Sequence, residues 1–347
     1  MKKQDISNLV KYHIEQNNDA FISVVAEIAR EFDSKGDYLF AQHLMDLISN
    51  SDVYVPQSNY KNFRFLEERP YSKNPLFLPD IIEEDVIGVI NSIRGKKGLS
   101  KFLFYGNPGT GKTESAFQIA RLLNRDVLFV SIEQLIDSRL GESAKNVINL
   151  FEEINHLIYN RVIVVFDELD ALVLNRTGYN DLREMSRVTT AFLRSLDQLS
   201  DQITIIATTN IINQFDKALI RRFDSVISFD RYSKQDLIDV SDEILSSMVS
   251  KFSNTRKDIR LFNKILNSVP AIPFPGEMKQ IIKTAIAFSD EGNQYDYLRK
   301  VFLSLTDEKQ HFDVLQLSKN GFTTREIEIL TNIPKSSVSR KLKGESK

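Results

Sequence analysis

The run KFLFYGNPGTGKTES, residues 101–115, constrains this chain more than any other stretch. Phe102 to Tyr105 form a strand-like apolar run. It enters Gly106-Asn107-Pro108-Gly109-Thr110-Gly111-Lys112-Thr113, and Ser115 to Leu123 follow with helical spacing. A strand, a glycine-rich loop ending in Gly-Lys-Thr and a helix together make a phosphate-binding loop. The glycines let the backbone curl until successive N–H groups point at one anion. The helix aims its positive end at the same anion. Lys112 adds a point charge for the β and γ phosphates, and Thr113 a hydroxyl for Mg2+. Such a loop needs a buried sheet to hold it, a metal ligand and a group that activates water.

The sequence supplies candidates for each. Val127 to Val130, Val162 to Phe166, Ile203 to Ala207 and Val226 to Phe229 are short continuous apolar runs. Such runs suit strands covered on both faces. Helical spacing recurs between them at Leu135 to Leu140, Ala144 to Ile158 and Leu182 to Leu199, and precedes the loop at Ile81 to Ile93. Alternation of this kind predicts an α/β domain, a parallel sheet with helices on both faces. Ligands of open α/β sheets bind beyond the carboxyl ends of the strands. Asp167-Glu168 end one run and Asn210 follows another. Asp167 can hold Mg2+ opposite Thr113, directly or through water. Glu168 can orient and deprotonate an attacking water, and Asn210 can position that water or touch the γ-phosphate.

GNPGTGKTE, VVFDELDAL, IIATTN and FDKALIRRFD stand in the order and spacing of the AAA+ ATPases, and look most like the AAA clade proper. The resemblance covers residues 76–304. It implies a P-loop ATPase domain over 76–230 and an α-helical lid over 231–304, using ATP and Mg2+, with Gly106 to Glu114 as the nucleotide-binding segment. It implies that Arg221 and Arg222 are paired arginine fingers reaching the γ-phosphate on a neighbouring subunit. A ring, usually a hexamer, follows. Phe274 to Lys279 is similar to the start of the clade's lid helix, which carries no sensor arginine. Arg187 looks like an interface residue, though a plain surface arginine fits as well. Asp137 to Ser143 aligns with the central-pore loop, where protein-threading members carry an aromatic residue. Here Arg139 precedes Leu140, which suits an acidic or nucleic-acid strand, or a pairing with Glu142 of a neighbour.

Helical appendages flank this region. Residues 1–75 comprise an acidic helical segment and a proline-bearing linker. Leu9, Val10, His13 and Ile14 share one face in it, and Phe21, Val24, Val25, Ile28 and Ala29 another. The segment is a solvated bundle or a docking module. Linker aromatics Tyr54, Tyr60, Phe63, Phe65, Tyr71 and Phe77 require burial, against the next domain or around an adenine. Residues 305–347 predict three helices with Ile327, Leu330, Ile333, Val338 and Leu342 as core and Asn332 at a left-handed turn. They resemble the helix-turn-helix of site-specific recombinases and small repressors, apart from Glu328, where a small residue is usual and where packing is expected to loosen. The resemblance implies that Lys335, Ser336, Ser337, Arg340 and Lys341 face duplex DNA. A three-helix protein-binding module with a basic tail is the alternative.

Composition narrows the classes. Net charge is −2, so any nucleic-acid binding is local. There is no cysteine, which excludes disulfides and thiolate chemistry, and four scattered histidines give no zinc spacing. The N-terminus lacks an apolar signal region, and no apolar run approaches the roughly 18 residues of a membrane span. A cytoplasmic protein is expected. Its ATPase cycle would remodel a protein or DNA-bound complex, gate a DNA-bound regulator or scaffold with little turnover, or unfold proteins for a separately encoded protease.

Overall fold

The computed structural model describes residues 3–14, 18–34, 40–41, 44–45, 63–70, 76–95, 97–135, 142–157, 159, 161–172, 179–252, 255–290, 292–306 and 313–344. The chain divides into two compact units, Met1–Asn62 and Phe63–Lys347. In the first, helices Lys3–Ile14 and Asn18–Ser34 enclose Ile22 and Val25, with Leu9 and Phe21 against them. The apolar face expected of the first helix is only partly used: Val10 and Ile14 stay exposed.

The second unit is built on a six-stranded sheet in the order β1-β3-β4-β5-β2-β6. Its strands are β1 Leu66–Glu68, β2 Lys101–Tyr105, β3 Asp126–Val130, β4 Val162–Phe166, β5 Thr204–Thr209 and β6 Ser225–Ser228. β2 to β6 are parallel, as the alternating pattern predicts. β1 is an antiparallel edge strand paired with β3, and it lies in the expected linker. Three residues are too few to show a strand period, and only Leu66 of them is buried.

Alternate residues of each strand face opposite helical layers. Phe102, Phe104, Val127, Phe129, Ile163 and Val165 pack with Ile82, Val86 and Ile90 of helix Asp80–Arg94 and Ile119 of helix Lys112–Leu123. On the other face Phe166 meets Phe151 of helix Glu142–Asn155 and Phe192 of helix Tyr179–Gln198, ring centroids 6.0 and 5.4 Å away. Every residue of β4 is buried, which explains why that run has no polar alternation.

Helices Lys234–Val249, Ile259–Ser268, Pro275–Ala287 and Asp296–Leu305 follow, then three shorter ones, Val314–Lys319, Thr324–Thr331 and Lys335–Gly344. All seven contribute to a single hydrophobic cluster. Ile327, Leu330 and Val338 are buried in it, while Ile333 and Leu342 pack at its edge. Asn332 has φ 56° and caps the middle of the last three helices. The carboxylate of Glu328, expected to loosen this packing, instead accepts the Lys335 backbone N–H at 2.9 Å and caps the final helix. Among the described residues no helix is long and apolar enough to cross a membrane.

Candidate functional site

The strand order places the loop. β5 lies between β4 and β2, so the residues leaving these three strands converge at one end of the sheet. β2 ends at Tyr105, and Gly106 turns the chain with φ 149°. A Cβ there would stand 2.9 Å from an Asp230 carboxylate oxygen and 3.1 Å from the Phe229 carbonyl carbon, so this position requires glycine. That Asp230 oxygen accepts the Asn107 backbone N–H at 2.6 Å and its side-chain amide at 3.0 Å, clasping the loop to the end of β6. The Thr110 hydroxyl donates to the Asn107 carbonyl at 2.8 Å.

Lys112 is buried, and its Nζ donates to the carbonyls of Gly106 at 2.7 Å and Asn107 at 2.8 Å. Burial pushes its ammonium pKa down, against the opposing fields of Asp230, Asp167, Asp170 and Glu168. A cation already partly desolvated gains most from an incoming anion.

Asp167 follows β4. Its Oδ1 accepts from the Thr113 hydroxyl at 2.7 Å and from the Thr208 hydroxyl at 2.7 Å. The Thr208 oxygen in turn accepts the Glu168 N–H at 3.0 Å. Glu168 sits at φ 52°, a region non-glycine residues rarely adopt. Thr208 is therefore a clamp. Held between the two acids, it fixes the turn that carries the candidate base. The sequence reading passed over it, although a buried hydroxyl at the end of an apolar strand is a visible signal. Thr113 and Asp167 offer hard oxygen donors at one point, and that chemistry fits Mg2+, which takes its remaining ligands from phosphates and water.

These groups line a cavity of about 330 Å³. Pro108, Gly109, Gly111, Lys112, Thr113, Glu114, Asp167, Glu168, Thr208 and Asn210 form its polar wall. Leu76 and Phe77 from the linker, with Ile244 and Met248 from the helical region, form an apolar wall. Phe77 thus serves the cavity, one of the two uses expected of the linker aromatics, whereas Phe65 is buried elsewhere, beside β1. Tyr54, Tyr60 and Tyr71 lie outside the described residues. The helical region closes the cavity through the backbone: the Gly276 N–H donates to the Gly109 carbonyl at 2.8 Å. The Tyr232 hydroxyl donates to the Thr110 carbonyl at 2.9 Å, and burial pushes its pKa well above the ordinary phenol value. The Pro275–Ala287 helix carries no arginine, but its Lys279 lines the cavity.

The remaining expected site residues lie apart. Arg221 is exposed, and Arg222 bonds the Asp197 carboxylate at 3.2 Å and the Ala218 carbonyl at 2.9 Å; neither lines the cavity. Arg187 is exposed. Arg139 and Leu140 lie outside the described residues. Lys335, Ser336, Arg340 and Lys341 are exposed and Ser337 is half-buried, and none of them lines the cavity.

Residues 102–231 match the model of the ATPase family associated with various cellular activities (AAA). The chain carries an AAA ATPase domain. It is 33 % identical over 172 residues to the uncharacterized AAA family ATPase y4kL of Sinorhizobium fredii, covering 47 % of this chain and 51 % of that protein. It is 30 % identical over 221 residues to the peroxisomal ATPase pex6 of Schizosaccharomyces pombe, covering 60 % of this chain and 21 % of the relative. It is 35 % identical over 186 residues to the proteasome-activating nucleotidase of Saccharolobus islandicus, covering 50 % and 44 %. The chain thus spans about half or less of the length of these relatives.

Proposed function

We propose that this chain binds Mg-ATP in the cavity between the sheet and the helical lid, hydrolyses it, and uses the cycle to remodel a protein or DNA-bound complex. The observation that carries the reading is the Thr113–Asp167 hydrogen bond at 2.7 Å, beside Lys112 and Glu168 on one cavity wall. The base would lie between the Leu76–Phe77 and Ile244–Met248 walls. The phosphates would take the N–H groups of the loop and draw Lys112 off the Gly106 and Asn107 carbonyls. Thr113 and Asp167 would hold Mg2+, which supplies charge neutralisation between the phosphates. Glu168 would accept a proton from the attacking water, with Thr208 fixing its backbone and Asn210 orienting the water. Arg221 and Arg222 would act on a neighbouring subunit's phosphate in a ring, a role that suits their absence from the lining of this chain's own cavity.

The test is turnover and binding in one pair of proteins. Glu168→Gln is expected to bind ATP with wild-type affinity and to lose about 10²–10⁴-fold in rate. Wild-type turnover in Glu168→Gln would refute the assignment.

A second reading concerns residues 313–344, which we infer contact duplex DNA. They carry Lys319, Arg325, Lys335, Arg340, Lys341 and Lys343 against Asp313, Glu326 and Glu328. All three acids are engaged locally: Asp313 caps Val314–Lys319, Glu326 binds Lys264, and Glu328 caps the last helix. The exposed cations Lys335, Arg340, Lys341 and Lys343 are left as the outward charge of that helix, which suits a polyanion. Binding that weakens steeply with salt, and weakens further in Arg340→Ala, is the expected result. No binding at low salt would remove the reading.

A further inference from the structure

The lid and the last three helices form one packed body. Phe322, Ile327, Leu330 and Val338 are buried in the same cluster as Leu298 and Val301 of the lid. The Phe302 and Phe322 rings stand 6.4 Å apart. A polar tie crosses the same seam. Lys264 Nζ, on lid helix Ile259–Ser268, donates to the two Glu326 oxygens at 3.0 and 2.8 Å and to the Gly321 carbonyl at 3.1 Å. Glu326 also accepts the Thr323 N–H at 2.7 Å, closing a capping box. Close-packed seams of this kind move as units rather than deform continuously.

The opposite end of the lid rests on the phosphate loop. Gly276 bonds Gly109, and Tyr232, whose ring packs against the lid core, bonds Thr110. Ile244, Ser247, Met248 and Lys279 of the lid line the cavity. A nucleotide there touches both the loop and the lid. It therefore binds one lid position better than another, and shifts the lid by that difference.

We infer that duplex DNA binding by residues 313–344 and nucleotide binding at the loop are thermodynamically coupled, with the shared lid core as the rigid link and Lys264–Glu326 as its polar tie. The inference rests on the DNA reading given above and adds its regulation. Coupling between binding sites is reciprocal: a nucleotide that changes DNA affinity by some factor has its own affinity changed by DNA by the same factor. Two sites on separate bodies joined by a slack linker would show no such factor.

The experiment is a fluorescence-anisotropy titration of a short labelled duplex with the full chain at low salt. It is run without nucleotide, with ADP, and with ATP on Glu168→Gln. DNA affinity is expected to differ by about fivefold or more between the nucleotide-free and ATP states. Saturating DNA is expected to shift the affinity for a fluorescent ATP analogue by the same factor. Glu326→Gln keeps an oxygen for the Thr323 N–H and loses the charge that holds Lys264. It should shrink the factor, and Lys264→Gln, which lies outside residues 313–344, should shrink it while nucleotide-free DNA affinity stays in place. DNA bound equally in all nucleotide states overturns the coupling and leaves the DNA reading standing. No DNA bound at low salt overturns both. An unchanged factor in both tie variants overturns the role given to Lys264–Glu326.

Discussion

Gly276→Ala tests whether the lid must touch the phosphate loop. Gly276 donates its N–H to the Gly109 carbonyl at 2.8 Å, and the two backbones are in contact. A Cβ on Gly276 would lie 2.7 Å from Gly109 Cα and 3.1 Å from its oxygen, where ordinary contact begins at 3.4 Å. Both partners are backbone, so no side chain can swing aside. The lid helix must retreat by about 0.7 Å, which stretches the hydrogen bond to about 3.5 Å, the edge of a useful one. Displacements approaching 1 Å at a reacting centre cost about 10²-fold, or ~2.7 kcal/mol. The variant is expected to keep its fold by circular dichroism and to lose about 10²-fold in kcat/KM for ATP, measured by phosphate release. Gly88→Ala is the control. Gly88 lies in helix Asp80–Arg94, and a methyl group there would meet nothing within 4 Å. It should stabilise the chain by ~0.4–1 kcal/mol through the unfolded state and leave turnover alone. Wild-type kcat/KM in Gly276→Ala would refute the reasoning.

Thr208→Val removes the hydroxyl shared by Asp167 and the Glu168 N–H and leaves that N–H unpaired, at ~1–3 kcal/mol. Turnover should fall while ATP binding persists, and Thr208→Ser should restore it in the same phosphate-release assay. Among the described residues, Asp242 and Asn263 each bury an oxygen with no partner, although Asn263 Nδ2 donates to Asp242 at 2.9 Å. Asp242→Asn can return a donor to Asn263 and should raise stability by ~1 kcal/mol in denaturant unfolding at neutral pH. Burial pushes the Asp242 carboxyl up, more than the Asn263 bond pulls it down. The wild type therefore gains stability as pH falls through that raised value, and the advantage of Asn should fade on acidification. Glu326 runs the opposite way. Burial raises its carboxyl, but the Lys264 and Thr323 bonds outweigh it and hold it below the usual range. Its stabilisation is full above about pH 4.3 and is lost as pH falls through the lowered value, so Glu326→Gln should flatten the acid limb of the stability profile.

Strands β2 to β5 were legible because they are buried on both faces and their apolar runs are nearly unbroken. The short edge strand was not, since Leu66–Glu68 carries one buried residue and no period. The phosphate-loop residues and the two acids were legible because loop chemistry demands particular residues at fixed spacing. Asp230 and Tyr232 were missed because each acts on the backbone of another segment, on Asn107 and Thr110. Contacts to backbone leave no paired residue type in the sequence to reveal them.

Glu328 shows the same limit from the other side. Judged by the pattern of its neighbours, a carboxylate there is a misfit between two helices. In the fold it meets one of the donors that a helix start leaves unpaired, the Lys335 N–H, and becomes a cap. Helical periodicity has a parallel blind spot. It identifies which residues of 313–344 are apolar but not whose core they join. Ile327 and Val338 would satisfy the pattern equally in a separate three-helix body or in the lid. What decides is Lys264, sixty-odd residues upstream, bonded to Glu326 across the seam. If that seam is as rigid as its packing, an ATPase cycle that moves the lid moves the basic helix with it. The chain then needs no further device to connect its fuel to whatever that helix holds.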